Sequence, residues 1–158
     1  MKRITMIVGF LVVIGLLAGW ITFSNFNLAA LPDPGGNETL LATRAKHQLV
    51  ARASREGIPP RPKDRAASAA QGDKLYAINC SLCHGEDGRA TSPMGRWMYP
   101  RAADLGSPQT QSYSDEQLFW VVKNGIRLSG MPGFSKLETD EHIWNMVDHL
   151  RTLPAAKQ

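Results

Sequence analysis

The sequence predicts an all-α protein: a small helical domain wrapped round one central motif, set behind an apolar N-terminal helix and a basic linker. Three observations carry that reading. Ile4 to Phe23 runs without a single charge. The segments that open near Ser68, Ser114 and Thr139 repeat apolar residues at helical spacing behind capping residues. No stretch alternates apolar and polar side chains for long enough to build a sheet. With 158 residues in all, the chain has room for one domain of ordinary size, and part of that length lies outside it.

Met1-Lys2-Arg3 is basic, and the apolar run behind it is long enough, at about 1.5 Å rise per residue, to span the roughly 30 Å hydrocarbon core. Lys2 and Arg3 stay cytoplasmic, which sends the rest of the chain across the membrane. A cleaved signal would carry a shorter apolar region and a small-x-small site, of which Leu28-Ala29-Ala30 is a poor version. A retained single-pass anchor over residues 1–31 is therefore expected. No cysteine lies near this segment, which excludes a lipoprotein.

Residues 32–67 read as a linker. Pro32-Asp33-Pro34-Gly35-Gly36 breaks any helix leaving the membrane, and Glu38 to Glu56 reads as a helix stopped by Gly57-Ile58-Pro59-Pro60. Its apolar face is thin, so the expected role is a spacer with a solvated basic face, the alternatives being a helix on anionic headgroups or docked on a partner. His47 is expected to be exposed. Pro59-Pro60-Arg61-Pro62 should be stiff and extended, holding the next domain away from the bilayer. The net charge of +4 comes from this stretch: Asn37 to Arg65 holds seven basic residues against three acidic ones. From Ala66 onward nine basic residues face ten acidic ones, so no basic face for nucleic acid exists in the domain.

The domain, residues 68–158, opens with a helix through Ala70, Asp73, Leu75, Tyr76 and Ile78. Ser114-Asp115-Glu116-Gln117 opens a second with a capping-box pattern, ended by Asn124-Gly125. Thr139-Asp140-Glu141 opens a third, whose apolar stripe is Ile143, Trp144, Val147 and Leu150. About ninety residues are marginal on burial alone, so a large apolar prosthetic group would supply much of the missing core.

Between the first two helices lies Cys80-Ser81-Leu82-Cys83-His84, a C-x-x-C-H run read as a c-type haem attachment site. Two thiols at this spacing add across the vinyl groups on one edge of the porphyrin, and the imidazole next to them supplies the proximal iron ligand. Cys80 and Cys83 are the only cysteines. A thioredoxin-like pair expects a βαβ pattern, and a zinc module expects a second ligand pair; neither is visible.

Four methionines compete for the distal position. Met131 leads because it sits in Ser129-Gly130-Met131-Pro132-Gly133-Phe134, where glycines allow close backbone approach and proline fixes the loop. Met94, between Pro93 and Gly95, is second. Met98 carries no such signal, and Met146 falls at a core position of the last helix. His142, Met146 and His149 share i, i+4, i+7 spacing, but their neighbouring stripe is apolar and a copper site there is disfavoured.

The order Cys80-x-x-Cys83-His84, Gly130-Met131-Pro132 and terminal helix resembles class I c-type cytochromes over about Ser68 to Leu153. Val121-Val122-Lys123-Asn124-Gly125-Ile126-Arg127 leading to Gly130-Met131-Pro132 is most similar to the membrane-attached monohaem, cbb3-type branch. The resemblance implies the cytochrome c fold, one covalent haem c, and His84 and Met131 as iron ligands. It also implies that Gly72 and Tyr76 meet Trp144 where the first and last helices cross. Pro93 or Pro100 would accept a hydrogen bond from His84. Arg101, Trp97 and Tyr99 would either meet the haem propionates or simply pack in their loop.

The expected function is a membrane-anchored carrier of single electrons, periplasmic on a bacterial inner membrane, serving oxidase, reductase or dehydrogenase partners, without a small-molecule substrate or catalytic residues of its own. The carrier role leaves room for it to be the haem subunit of a larger oxidoreductase. The alternatives are a peroxidase-like haem enzyme or gas sensor with a displaceable Met131, and an assembly subunit whose basic helix matters more than its haem. No distal His/Arg pair speaks for the enzyme.

Overall fold

The computed structural model describes residues 2–25 and 29–154. Leu28 of the weak cleavage-like run, Met1 and residues 155–158 lie outside the described residues. In chain order the helices are α1 (Lys2–Ser24), α2 (Gly36–Ala53), α3 (Arg65–Asn79), α4 (Ser81–His84), α5 (Pro93–Trp97), α6 (Pro108–Gln111), α7 (Asp115–Asn124) and α8 (Asp140–Leu150). There is no strand among the described residues, and the fold class is all-α. Helix α1 is long and apolar enough to cross a membrane, and none of it is buried against the rest of the protein.

Helix starts follow local chemistry. Asp64 caps α3 by accepting from Ala67 N at 3.0 Å, and Thr139 caps α8 by accepting from His142 N at 3.2 Å. At α7 both halves of the capping box form, Ser114 Oγ accepting from Gln117 N and Gln117 Oε1 accepting from Ser114 N. Each contact satisfies an amide that the helix itself leaves without a partner.

The crossing of α3 and α8 forms the centre of the fold. Gly72 makes it possible: a Cβ there would fall 1.9 Å from the backbone oxygen of Asn145. Ser68 Oγ donates to Asn145 Oδ1 at 2.6 Å, so the crossing also carries a buried polar contact. Tyr76 lays its ring beside His149, centroids 5.0 Å apart, and donates its hydroxyl to Gly85 O at 2.7 Å. The expected meeting with Trp144 is not what forms. Asn145 and His149, four residues apart, share the face turned to α3; Trp144, one position earlier, is rotated by about 100°. It packs instead on Phe119, centroids 4.5 Å apart, and donates Nε1 to Pro59 O at 3.2 Å. Phe119, Ile143, Met146 and Val147 are fully buried between α7 and α8.

The linker is docked, which corrects the spacer reading. Val50 of α2 is 2% exposed, and His47 is half-buried, stacked on Tyr113 with centroids 4.0 Å apart and planes 17° apart. Glu38 accepts from the Tyr99 hydroxyl, and Thr43 Oγ1 accepts from Gln109 Nε2 at 3.3 Å. The proline segment does not hold the domain away either. Arg61 reaches Asp115 and the 1%-exposed side chain of Asp148 while lying over the Trp144 ring, 5.1 Å from its centroid. A thin apolar face sufficed because the contacts of α2 are one aliphatic anchor, one ring stack and side-chain hydrogen bonds.

Candidate haem site

Helix α3 ends at Asn79, and Cys80 caps it, its N–H bonding to Tyr76 O. The chain then turns once more as α4, with His84 N donating to Cys80 O at 2.9 Å. This extra turn presents Cys80, Cys83 and His84 together. Gly85 stops it at φ +78°, a left-handed conformation that glycine adopts without strain. Helix α5 lies directly on the turn: Ser92 Oγ donates to Cys83 O at 2.8 Å, and a Cβ on Gly95 would fall 2.0 Å from the same oxygen.

From the other side of the sequence, α7 ends at Gly125, and the chain folds back against that end. A Cβ on Gly125 would lie 2.7 Å from Met131 O. Phe134 N donates to Val122 O and Ser135 N to Lys123 O, both at 3.1 Å, while Met131 N donates to Ser129 Oγ at 3.2 Å. Buried Phe134 anchors the loop to the core. The Met131 loop is thus held at several points.

Cys80, Cys83, His84 and Met131 line one cleft, whose empty volume is about 750 Å³ counted out to its open mouth. Met98, Ile126 and Phe134 add apolar wall, and Arg101 and Lys46 add the basic residues. Met94 is 46% exposed on α5 and does not line the cleft. Trp97 and Pro93 line a separate pocket, and Tyr99 is engaged with Glu38. Of the three residues expected near propionates, only Arg101 reaches the cleft, and it also pairs with Asp33 at 2.7 Å. Met146 is buried in the core, His142 Nδ1 meets Glu138 at 2.8 Å, and His149 lies on Tyr76, so these three do not converge.

The electrostatics suit ligation. Burial lowers the His84 pKa, against an opposing hydrogen bond to Ala103, so the neutral imidazole is favoured. A carbonyl can only accept, so Nδ1–H donates to Ala103 O across 2.8 Å, and the lone pair belongs to Nε2. That fixes the tautomer a metal ligand requires. The expected acceptors were Pro93 or Pro100; Ala103 O takes the place. Burial, with Cys83 and Glu138 adding to it, pushes the Cys80 thiol up to about 12. A thiol so far from ionised is a poor partner for disulfide exchange. Two unpaired thiols, an oriented imidazole and a thioether round one apolar cleft fit a covalently held haem.

Over residues 67–150, more than half of its length, the chain matches the family described as cytochrome c oxidase, cbb3-type, subunit III. It belongs to that cytochrome c family. A domain of this family carries covalently bound haem c and serves electron transport. Among solved structures, this cytochrome is similar to a chain of the reducing HAO-like protein complex of Kuenenia stuttgartiensis, at 23% identity and a TM-score of 0.53. The match covers 62% of the present chain and 48% of the other, so the cytochrome spans about half the length of that relative. At this identity the likeness speaks to the fold. No curated protein matches the chain.

Met98, Lys46 and Ala103 are the residues that sequence reasoning missed at this cytochrome's site. Gly95, two residues past the Met94 alternative, was the only local hint: it brings α5 onto Cys83, and the chain leaving α5 then delivers Met98.

Proposed function

We propose that the chain is a membrane-anchored, one-haem electron carrier, or the haem subunit of a larger oxidoreductase, on the periplasmic side of a bacterial inner membrane. Residues 1–31 anchor it, 32–67 connect, and 68–158 hold the haem. Its partners are redox proteins: an oxidase, a reductase or a dehydrogenase complex. The observation that carries this reading is the convergence of Cys80, Cys83 and His84 with Met131 on one cleft.

In this reading Cys80 and Cys83 would hold the haem through thioether links, and His84 and Met131 would bind its iron. Bound there, haem c supplies a reversible one-electron iron couple. His84 keeps its ring oriented through Nδ1 and Ala103 O. Met131, held through its N–H to Ser129 Oγ and its carbonyl to Ile126 N, would bind the iron and keep water and small ligands from it. Phe134 and Ile126 shield the cleft wall. With both iron ligands drawn from the protein, the residues would support transfer to another protein rather than turnover of a substrate.

The test is the reduced full-length protein with and without carbon monoxide, beside a haem stain of the denatured chain. The carrier reading expects haem that survives denaturation and a six-coordinate spectrum unmoved by carbon monoxide. Rapid carbon monoxide binding would move the peroxidase-like or gas-sensing reading ahead. Sequencing the mature N-terminus tests the anchor: a start between Ala29 and Pro34 would mean a cleaved signal and a soluble carrier.

A further inference from the structure

Lys46 lies on α2, outside the residues 67–150 that match the family, yet it lines the haem cleft. It is half-buried, and no carboxylate among the described residues pairs with it. Burial lowers its pKa, the mark of an ammonium drawn out of water without a counter-charge. A lysine on a solvated spacer would turn outward. This one is held in place by its neighbours on the helix: His47 is fixed on Tyr113 and Val50 is buried in the core. The other cation at the cleft, Arg101, already shares its charge with Asp33. A basic pocket at an apolar cleft calls for an apolar ligand with an acidic edge, and haem, with its two propionate carboxylates, is such a ligand.

We propose that Lys46 binds a haem propionate, so that the helix next to the membrane segment completes the haem site and is held down by the cofactor. The proposal rests on the haem assignment above. It makes α2 a working part of the cytochrome rather than a connector.

The test uses the haem-loaded full chain in detergent, as wild type, Lys46→Gln, Lys46→Arg and, as a control on the same linker, Lys63→Gln, since Lys63 is exposed. Ferric haem carries one more positive charge than ferrous, so a nearby cation disfavours the ferric state. Lys46→Gln should therefore lower the midpoint potential, Lys46→Arg should retain it, and Lys63→Gln should leave it alone. Trypsin should cut α2 after Arg44 and Arg52 several-fold faster in Lys46→Gln than in wild type. In wild-type holoprotein, acetylation mapped by mass spectrometry should label Lys46 several-fold more slowly than Lys63. Equal labelling overturns the proposal even if Lys46→Gln fails to accumulate, and so does a Lys46→Gln potential equal to that of the control. A chain without covalent haem would instead sink the haem assignment itself, which the stain reads separately.

Discussion

The methyl end of Met98 lies against Gly130, so close that a Cβ built on Gly130 would fall 1.8 Å from Met98 Cε. Two thioethers therefore reach the same cleft, one from the chain leaving α5 and one from the loop after α7. Only one can fill the distal position, and the loop hydrogen bonds favour Met131. Met131→Ala should open the iron, let carbon monoxide bind rapidly and lower the potential, because a thioether is a soft donor that favours ferrous iron. Met98→Ala should keep the methionine-ligated spectrum, as should Met94→Ala. The reverse pattern, with Met98→Ala losing that spectrum, would move the ligand to Met98 and leave the carrier reading intact.

Gly72→Ala should be among the most damaging single substitutions. The added methyl would meet Asn145 O at 1.9 Å and Asn145 C at 2.5 Å, backbone atoms that cannot turn aside. Overpacking typically costs about 1–3 kcal/mol, and a contact with rigid backbone puts this one at the upper end. Denaturant titration of the holoprotein reads the loss, and a midpoint near wild type would show that α3 and α8 can separate cheaply.

Arg61 is shared by Asp115 and Asp148, with Arg65 3.2 Å from Asp148 and Arg151 2.7 Å from Asp115. Removing one partner of a buried pair costs about 3–5 kcal/mol, and Arg61→Ala should fall at the low end because Arg65 remains. Burial tends to raise the Asp115 pKa, but hydrogen bonds from Arg151 and Arg61 outweigh it and hold the carboxyl below its ordinary 3.8. A depressed folded-state value contributes stability above pH 3.8 that is lost as pH falls through it. Acid unfolding curves should therefore show a loss below that point in wild type, and a smaller one in Arg61→Ala.

His47 titrates in the opposite chemical sense with the same direction in pH. Burial first, and the Lys46 charge second, lower its pKa from 6.5, so folding favours the neutral ring. As pH falls from 6.5 through the depressed value, the unfolded chain takes up protons that the folded one resists, and stability declines. The denaturant midpoint should fall over that window. His47→Phe, which keeps a ring on Tyr113, should shrink the slope; His149 and His84, both also lowered by burial, contribute to the remainder. An unchanged slope would show that the stack does not resist protonation.

What could be read from the sequence was what is local in it. The Cys80 to His84 run, the capping box at Ser114 and the glycine stop at Gly125 each need only a few neighbouring residues, and each appears where expected. Ala103 could not be read, because it acts through its carbonyl, which every residue has. Arg61 looked like one charge in a basic linker; its partners are 54 and 87 residues away. Helix α2 was misjudged because apolar periodicity measures only aliphatic burial, and its docking depends on a ring stack and on polar contacts as well.

With α2 pinned to the domain and Asp33 paired with Arg101, the proposed anchor and the haem domain are separated along the chain by no more than the stretch from Ser24 to Asp33. Fully extended, a stretch of that length would reach at most roughly 30 Å. A swinging linker would let the carrier sample a wide shell of the periplasm and visit partners in turn. On the proposed anchor this short one would confine the haem to a thin layer over the bilayer, where a neighbour fixed in the same membrane would be met at high local concentration and a distant one only by lateral diffusion.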